Sequence, residues 1–149
     1  MSSFSTKWSV LQAHDVAERD RDPDGFVTDE ALEHWIAEAR AAYLDQCSRL
    51  HVARASNGSE LRYRTRARPR GPELGRPARV VVSASATEIF PTSFVISMRV
   101  RATGGESDEL VNTSCTVELE NSVTGAVEEI SREIRDELIA LEHSARYFN

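Results

Sequence analysis

Thr28-Asp29-Glu30-Ala31-Leu32-Glu33-His34-Trp35-Ile36-Ala37-Glu38-Ala39-Arg40-Ala41-Ala42-Tyr43 is the run on which the architecture hangs. Thr28 or Asp29 offers a side-chain oxygen to the free N–H groups of a helix start. Glu30 and Glu33 put negative charge in the first turns, where it complements the helix dipole. Leu32, Trp35, Ile36, Ala39, Tyr43, Cys47 and Leu50 then recur every three or four residues, which predicts one long amphipathic helix over residues 29–50.

Outward from that helix the period changes. Asn57-Gly58 marks a turn, and Leu61, Tyr63, Thr65 and Ala67 then alternate with Arg62, Arg64, Arg66 and Arg68. On a strand the two sets point to opposite faces. After a Pro- and Gly-rich break at 69–77, strands are predicted at 79–89, at 94–101 and at 111–119, punctuated by Pro91 and by Gly104-Gly105. Upstream, residues 7–16 contain Trp8, Val10 and Leu11 and read as a first strand. Val127, Ile130, Ile134, Leu138 and Leu141 form the stripe of a C-terminal helix. Short connections make the later strands antiparallel neighbours. The expectation is one α+β domain over residues 1–149, with a five-stranded antiparallel sheet whose apolar face is covered by one helix.

Composition narrows the function. The chain has 149 residues, 40% hydrophobic and 28% charged, an ordinary globular balance. No apolar run approaches a membrane span, and residues 1–7 do not read as a secretion signal, so a cytoplasmic protein is expected. Cys47 and Cys115 lack metal-type spacing and read as buried free thiols. The formal charge of −6 argues against a nucleic-acid partner. Arg62, Arg64, Arg66, Arg68, Arg70, Arg76 and Arg79 crowd one stretch and suit a small anionic ligand or an interface. His14, His34, His51 and His143 have no ligand spacing, and neither a Gly-rich phosphate loop nor a nucleophile elbow occurs.

The loop before the helix, Asp20-Arg21-Asp22-Pro23-Asp24-Gly25, admits two readings. As a calcium loop over residues 20–31, Asp20, Asp22 and Asp24 stand at positions one, three and five and Gly25 at six, but position twelve is Ala31 instead of Glu. The other reading is a carboxylate held at a helix entry for acyl chemistry. Thioester hydrolysis needs an activated nucleophile and a stabilised oxyanion. Asp22 offers the first, unless it only caps the helix or closes an Asx-type turn before Gly25; the free N–H groups around Thr28, Asp29 and Glu30 offer the second.

Asp20, Asp22, Gly25 and Val27, followed without a gap by the helix through Trp35, Ala39, Arg40 and Tyr43, resemble the 4-hydroxybenzoyl-CoA thioesterase type of hotdog-fold acyl-CoA thioesterases. That family carries Asp-x-Asp-x-x-Gly-x-Val before its central helix, and the resemblance covers nearly the whole chain. It implies a hotdog fold and an acyl-CoA or acyl-carrier thioester as substrate. Coenzyme A enters only as part of that substrate, with no further cofactor and no metal. It also implies a homodimer or homotetramer with the site between subunits. Asp22 takes the position of the catalytic base or nucleophile. Arg40 matches a helix arginine used by related thioesterases of polyketide pathways. Gly25, Phe26, Arg66, Arg68, Arg70, Arg76 and Arg79 are the candidate substrate and coenzyme contacts. Hydration and dehydration are not expected, because the motifs of those hotdog enzymes are missing. Phe26, Thr28 and Asp29 stand where many relatives carry His or Asn, which keeps open a non-catalytic module that binds acyl-CoA or serves assembly.

Overall fold

The computed structural model describes residues 9–65, 68–105 and 108–142 and the backbone of 146–147; Arg66, among the candidate contacts, lies outside the described residues, as do Trp8 and His143. The chain begins with β1 (Val10–Asp15) and a short 3-10 turn (Glu18–Asp20). Two helices follow, α1 (Asp29–Asp45) and α2 (Ser48–Asn57). Next come β2 (Ser59–Thr65), a 3-10 turn (Gly71–Leu74), and the long strands β3 (Arg79–Ile89), β4 (Ser93–Thr103) and β5 (Leu110–Asn121). Two-residue β6 (Val127–Glu128), α3 (Arg132–Leu141) and two-residue β7 (Arg146–Tyr147) close it.

The expected layout is there: the main strands run β1-β3-β4-β5-β2, all antiparallel. The two short strands were not foreseen. β6 extends the pairing of β5 past the end of β4, and β7 lies parallel to β3 at Glu88 and Ile89, past the end of β1. Thr87 is an extra residue in β3 opposite β4, a bulge that shifts the register between Ala86 and Glu88.

Thr28 caps α1, its Oγ1 accepting from Ala31 N–H at 3.1 Å. Leu32, Trp35, Ile36, Ala39, Tyr43 and Leu44 are buried against Val82, Ala84, Phe94, Ile96, Met98, Cys115 and Val117 of the sheet. Burying each large side chain in such a core contributes about 1.5–3 kcal/mol.

The single helix over 29–50 is corrected to two. Gln46 and Cys47 donate back to Tyr43 and Leu44 at 3.1 and 3.0 Å, which closes α1, and the chain restarts at Ser48. The apolar spacing survives the break, because Cys47 and Leu50 are still fully buried. Likewise Val127 and Ile130 precede α3 instead of belonging to it; α3 starts behind the cap Ser131. Both cysteines are buried and free, as expected. No helix among the described residues is long and apolar enough to cross a membrane.

Candidate active site

Asp22 sits in the tight turn that leads into α1. Its Oδ1 accepts from the N–H groups of Asp24 and Phe26, both at 2.9 Å, and its own N–H donates to Phe26 O at 2.7 Å. Gly25 takes the left-handed conformation this turn requires, φ 90°. One carboxylate oxygen therefore holds the loop, while Oδ2 has no hydrogen bond among the described residues. Asp20 is turned the other way: its Oδ2 accepts from Ala17 N–H at 2.9 Å. The calcium arrangement is not formed. Asp20 and Asp22 spend oxygens on separate backbone groups, and no set of three or more His, Cys, Asp or Glu able to hold a metal ion occurs among the described residues.

At the N-terminus of α1, Thr28 N–H is taken by Asp20 O at 3.0 Å and Ala31 N–H by the Thr28 side chain. The N–H groups of Asp29 and Glu30 have no partner among the described residues, as expected for a helix start. The Asp29 side chain turns aside. Its Oδ1 accepts from Gly71 N–H at 2.7 Å and its Oδ2 from Arg70 Nε at 3.0 Å. The Gly71 N–H, and after it Arg70, hold the carboxyl below its usual range despite some burial. Arg70 thus compensates the negative charge that Asp29 brings to the helix start. Gly71 is required there: a Cβ on it would lie 2.3 Å from the Thr28 carbonyl.

Several cavities border this half of α1 among the described residues; one of about 410 Å³ lies between it and β1, along His14, Asp15, His34, Trp35 and Glu38, and two more lie at its start and its sheet side. One, of about 550 Å³, is lined by Arg19, Asp20, Thr28, Glu30, Glu33 and His34. The other, of about 270 Å³, opens between α1 and the sheet and is lined by Glu33, Ile36, Arg40, Thr65, Arg68 and Met98 among others. Glu33 borders both. Asp22 is not among the residues lining either one.

Arg40 follows Ile36 by one helical turn and so falls beside the apolar stripe. Its guanidinium lies 4.5 Å over the Tyr63 ring. It also neighbours the Cys115 thiol, which burial pushes up and the Arg40 charge draws partly back. Tyr63, in the apolar set of β2, is nonetheless 44% exposed at this edge, whereas Phe94 and Met98 are buried.

The arginine cluster is dispersed instead of gathered. Arg62 and Arg64 lie on the outer face of β2 and pair with Glu120 at 2.8 Å and Glu118 at 3.4 Å. Arg79 pairs with Asp15 at 3.3 Å at the β1 edge of the sheet, where Asp15 lines the cavity between α1 and β1 with Arg19, Asp20 and His34. Arg68 meets Glu33 at 3.4 Å at the mouth of the smaller cavity. Arg76 stacks over Phe26 at 4.5 Å and packs beside Gly25, so these three candidates come together next to Asp22. Glu33, Thr65 and Thr113 carry no site signal in the sequence, and neither does Asp20 as a cavity residue. They stand out only once the loop conformation and strand register are known.

No protein-family model matches the chain, and no curated protein matches it. Solved structures do. A thioesterase from Thermus thermophilus, solved with coenzyme A and zinc, is 21% identical with a TM-score of 0.63, covering 91% of this chain and 96% of that one. A 12:0-ACP thioesterase from Umbellularia californica is 13% identical with a TM-score of 0.70, over 93% of this chain and 56% of that longer one. A thioesterase superfamily structure from Jannaschia sp. CCS1 is 17% identical with a TM-score of 0.62, over 97% and 89%. What these similarities establish is the hotdog fold.

Proposed function

Starting from a hotdog domain with a carboxylate loop at its helix entry, we propose that this chain is an acyl thioesterase, hydrolysing an acyl-CoA or acyl-carrier thioester to the free acid and the thiol. The observation that carries the reading is the Asp22 turn, which fixes one oxygen of the carboxylate with two backbone N–H bonds and leaves the other available beside a helix start with two open N–H groups. The folds it shares are those of structures named thioesterases, one of them holding coenzyme A and another acting on a carrier-linked acyl group.

In this reading Asp22 Oδ2 takes the proton of the attacking water or attacks the carbonyl itself. The N–H groups of Asp29 and Glu30 receive the developing oxyanion. The smaller cavity takes the acyl group, and Arg40 positions it. Arg68, Arg70, Arg76 and Arg79 are the candidate phosphate contacts for coenzyme A, of which Arg76 alone has no acid partner among the described residues. The working unit is a homodimer, since β2 presents an open edge beside the cavity and pairing it with a second copy would satisfy its free backbone groups.

A second reading keeps the reaction and moves the base to Asp20, favoured by its place in the lining of the cavity at the helix start. Thiol release from short, long and aromatic acyl-CoAs by wild type, Asp22→Asn and Asp20→Asn tests both. The expected outcome is turnover by wild type that falls at least about 100-fold in Asp22→Asn. The same loss confined to Asp20→Asn transfers the role to Asp20. No turnover on any acyl-CoA or acyl-carrier substrate, with acyl-CoA still bound, replaces the enzyme by a binding module.

A further inference from the structure

Arg40 is a cation on the wall of a cavity, and no carboxylate among the described residues pairs with it. Its neighbours there are the Tyr63 ring and the Cys115 thiol. Other arginines of the same region are matched with acids of this chain: Arg62 with Glu120, Arg64 with Glu118, Arg68 with Glu33, Arg70 with Asp29. A guanidinium drawn partly out of water without a counter-ion is costly, and an incoming anion removes that cost. Planar carboxylates suit it best, because they accept two parallel N–H bonds. The rest of the wall fits a group that is apolar along its length and polar at its end. Ile36, Ala37, Pro69 and Met98 supply the apolar part, Thr65 and Thr113 stand with Arg40 as polar ones, and the one acid of the wall, Glu33, is matched by Arg68 at the mouth. At about 270 Å³ the cavity stands at the small end of ligand pockets, which suits a short acyl group.

Resting on the thioesterase reading above, we propose that the acyl group of the substrate is short and ends in a carboxylate, which Arg40 binds. The substrate class is then the monothioester of a short dicarboxylic acid, and Arg40 sets specificity.

The test uses two non-hydrolysable coenzyme A thioethers of equal chain length, S-(4-carboxybutyl) and S-pentyl, titrated calorimetrically into the full chain. Wild type is expected to bind the carboxylated thioether at least about tenfold more tightly, the scale of hydrogen bonds to a charged group. In Arg40→Leu, and in Arg40→Gln should the leucine variant fail to melt cooperatively, that ratio should fall to about one or below. Arg40→Lys, which keeps the charge but not the fork, should retain part of it. Equal binding by wild type, or a preference that survives the loss of Arg40, overturns the dicarboxylate inference and leaves the thioesterase reading standing. An acid from a second copy that already occupies Arg40 would give the equal-binding result. Failure of wild type to bind either thioether overturns the dicarboxylate inference and the coenzyme A form of the thioesterase reading, leaving only the carrier-linked form to the thiol-release assay.

Discussion

Asp29 shows how much at this site is decided by single contacts. Its folded-state carboxyl is held below the ordinary value of 3.8 by the Gly71 N–H and by Arg70. A group whose pKa is depressed on folding stabilises the protein fully above its unfolded value, and that stabilisation is lost as pH falls through the folded one. Thermal melts should therefore show an Asp29-dependent loss only below about pH 4, and Asp29→Asn should flatten that acid limb. If the variant's melting temperature falls with acid in parallel to wild type, the contact contributes nothing. At this scale the sequence was partly legible. Asp22 followed by Pro23, Asp24 and Gly25 announces a side-chain-closed turn, and that turn is what Asp22 Oδ1 makes. Asp29, by contrast, reads in the sequence as an alternative helix cap and a negative charge at the helix start, not as half of an ion pair. Its neutraliser, Arg70, lies 41 residues further on, and no local pattern links the two.

Among the elements, the 3-10 turn Gly71–Leu74 acts as a bracket on the start of α1. Gly71 approaches so closely that an added Cβ would meet Thr28 carbon and oxygen at 2.3 Å. Backbone, not a flexible side chain, stands in the way, so Gly71→Ala must displace either the turn or the helix cap. The expected cost is about 1–3 kcal/mol or more, with a loss of turnover larger than that of an exposed control such as Glu129→Ala; denaturant titration and thiol release check the two together. Strand periods were readable, because alternation of apolar and polar side chains is a local signal, but strand ends less so: β5, read over 111–119, runs Leu110–Asn121. The break between α1 and α2 was not readable. Neither Gly nor Pro marks Gln46 and Cys47, and the buried spacing of Tyr43, Cys47 and Leu50 runs straight through it. The arginine row of β2 was legible as one face. Its partners Glu118 and Glu120 were not, since they depend on the β2–β5 register.

For the whole molecule, the sheet has two outer strands, β1 and β2, and the smaller cavity opens on the β2 side, where Thr65 lines it. A homodimer joined along β2 is expected in sedimentation, and the outward-facing amides of residues 59–65 should then exchange slowly with solvent hydrogen. A monomer in which every second one of those amides exchanges freely would remove the dimer from the proposal. The layout was legible because element order and strand period limit how one helix can be covered by five strands. The site was less so, because cavities belong to tertiary geometry. The same strand order also orders assembly in time. β3, β4 and β5 are joined by tight connections, whereas β1 reaches its partner across the chain from Val10 to Ala84 and β2 from Ser59 to Asn121. Closing those long loops costs more chain entropy than zipping adjacent hairpins. The three-stranded meander is thus expected to pair before β1 and β2 join its two sides.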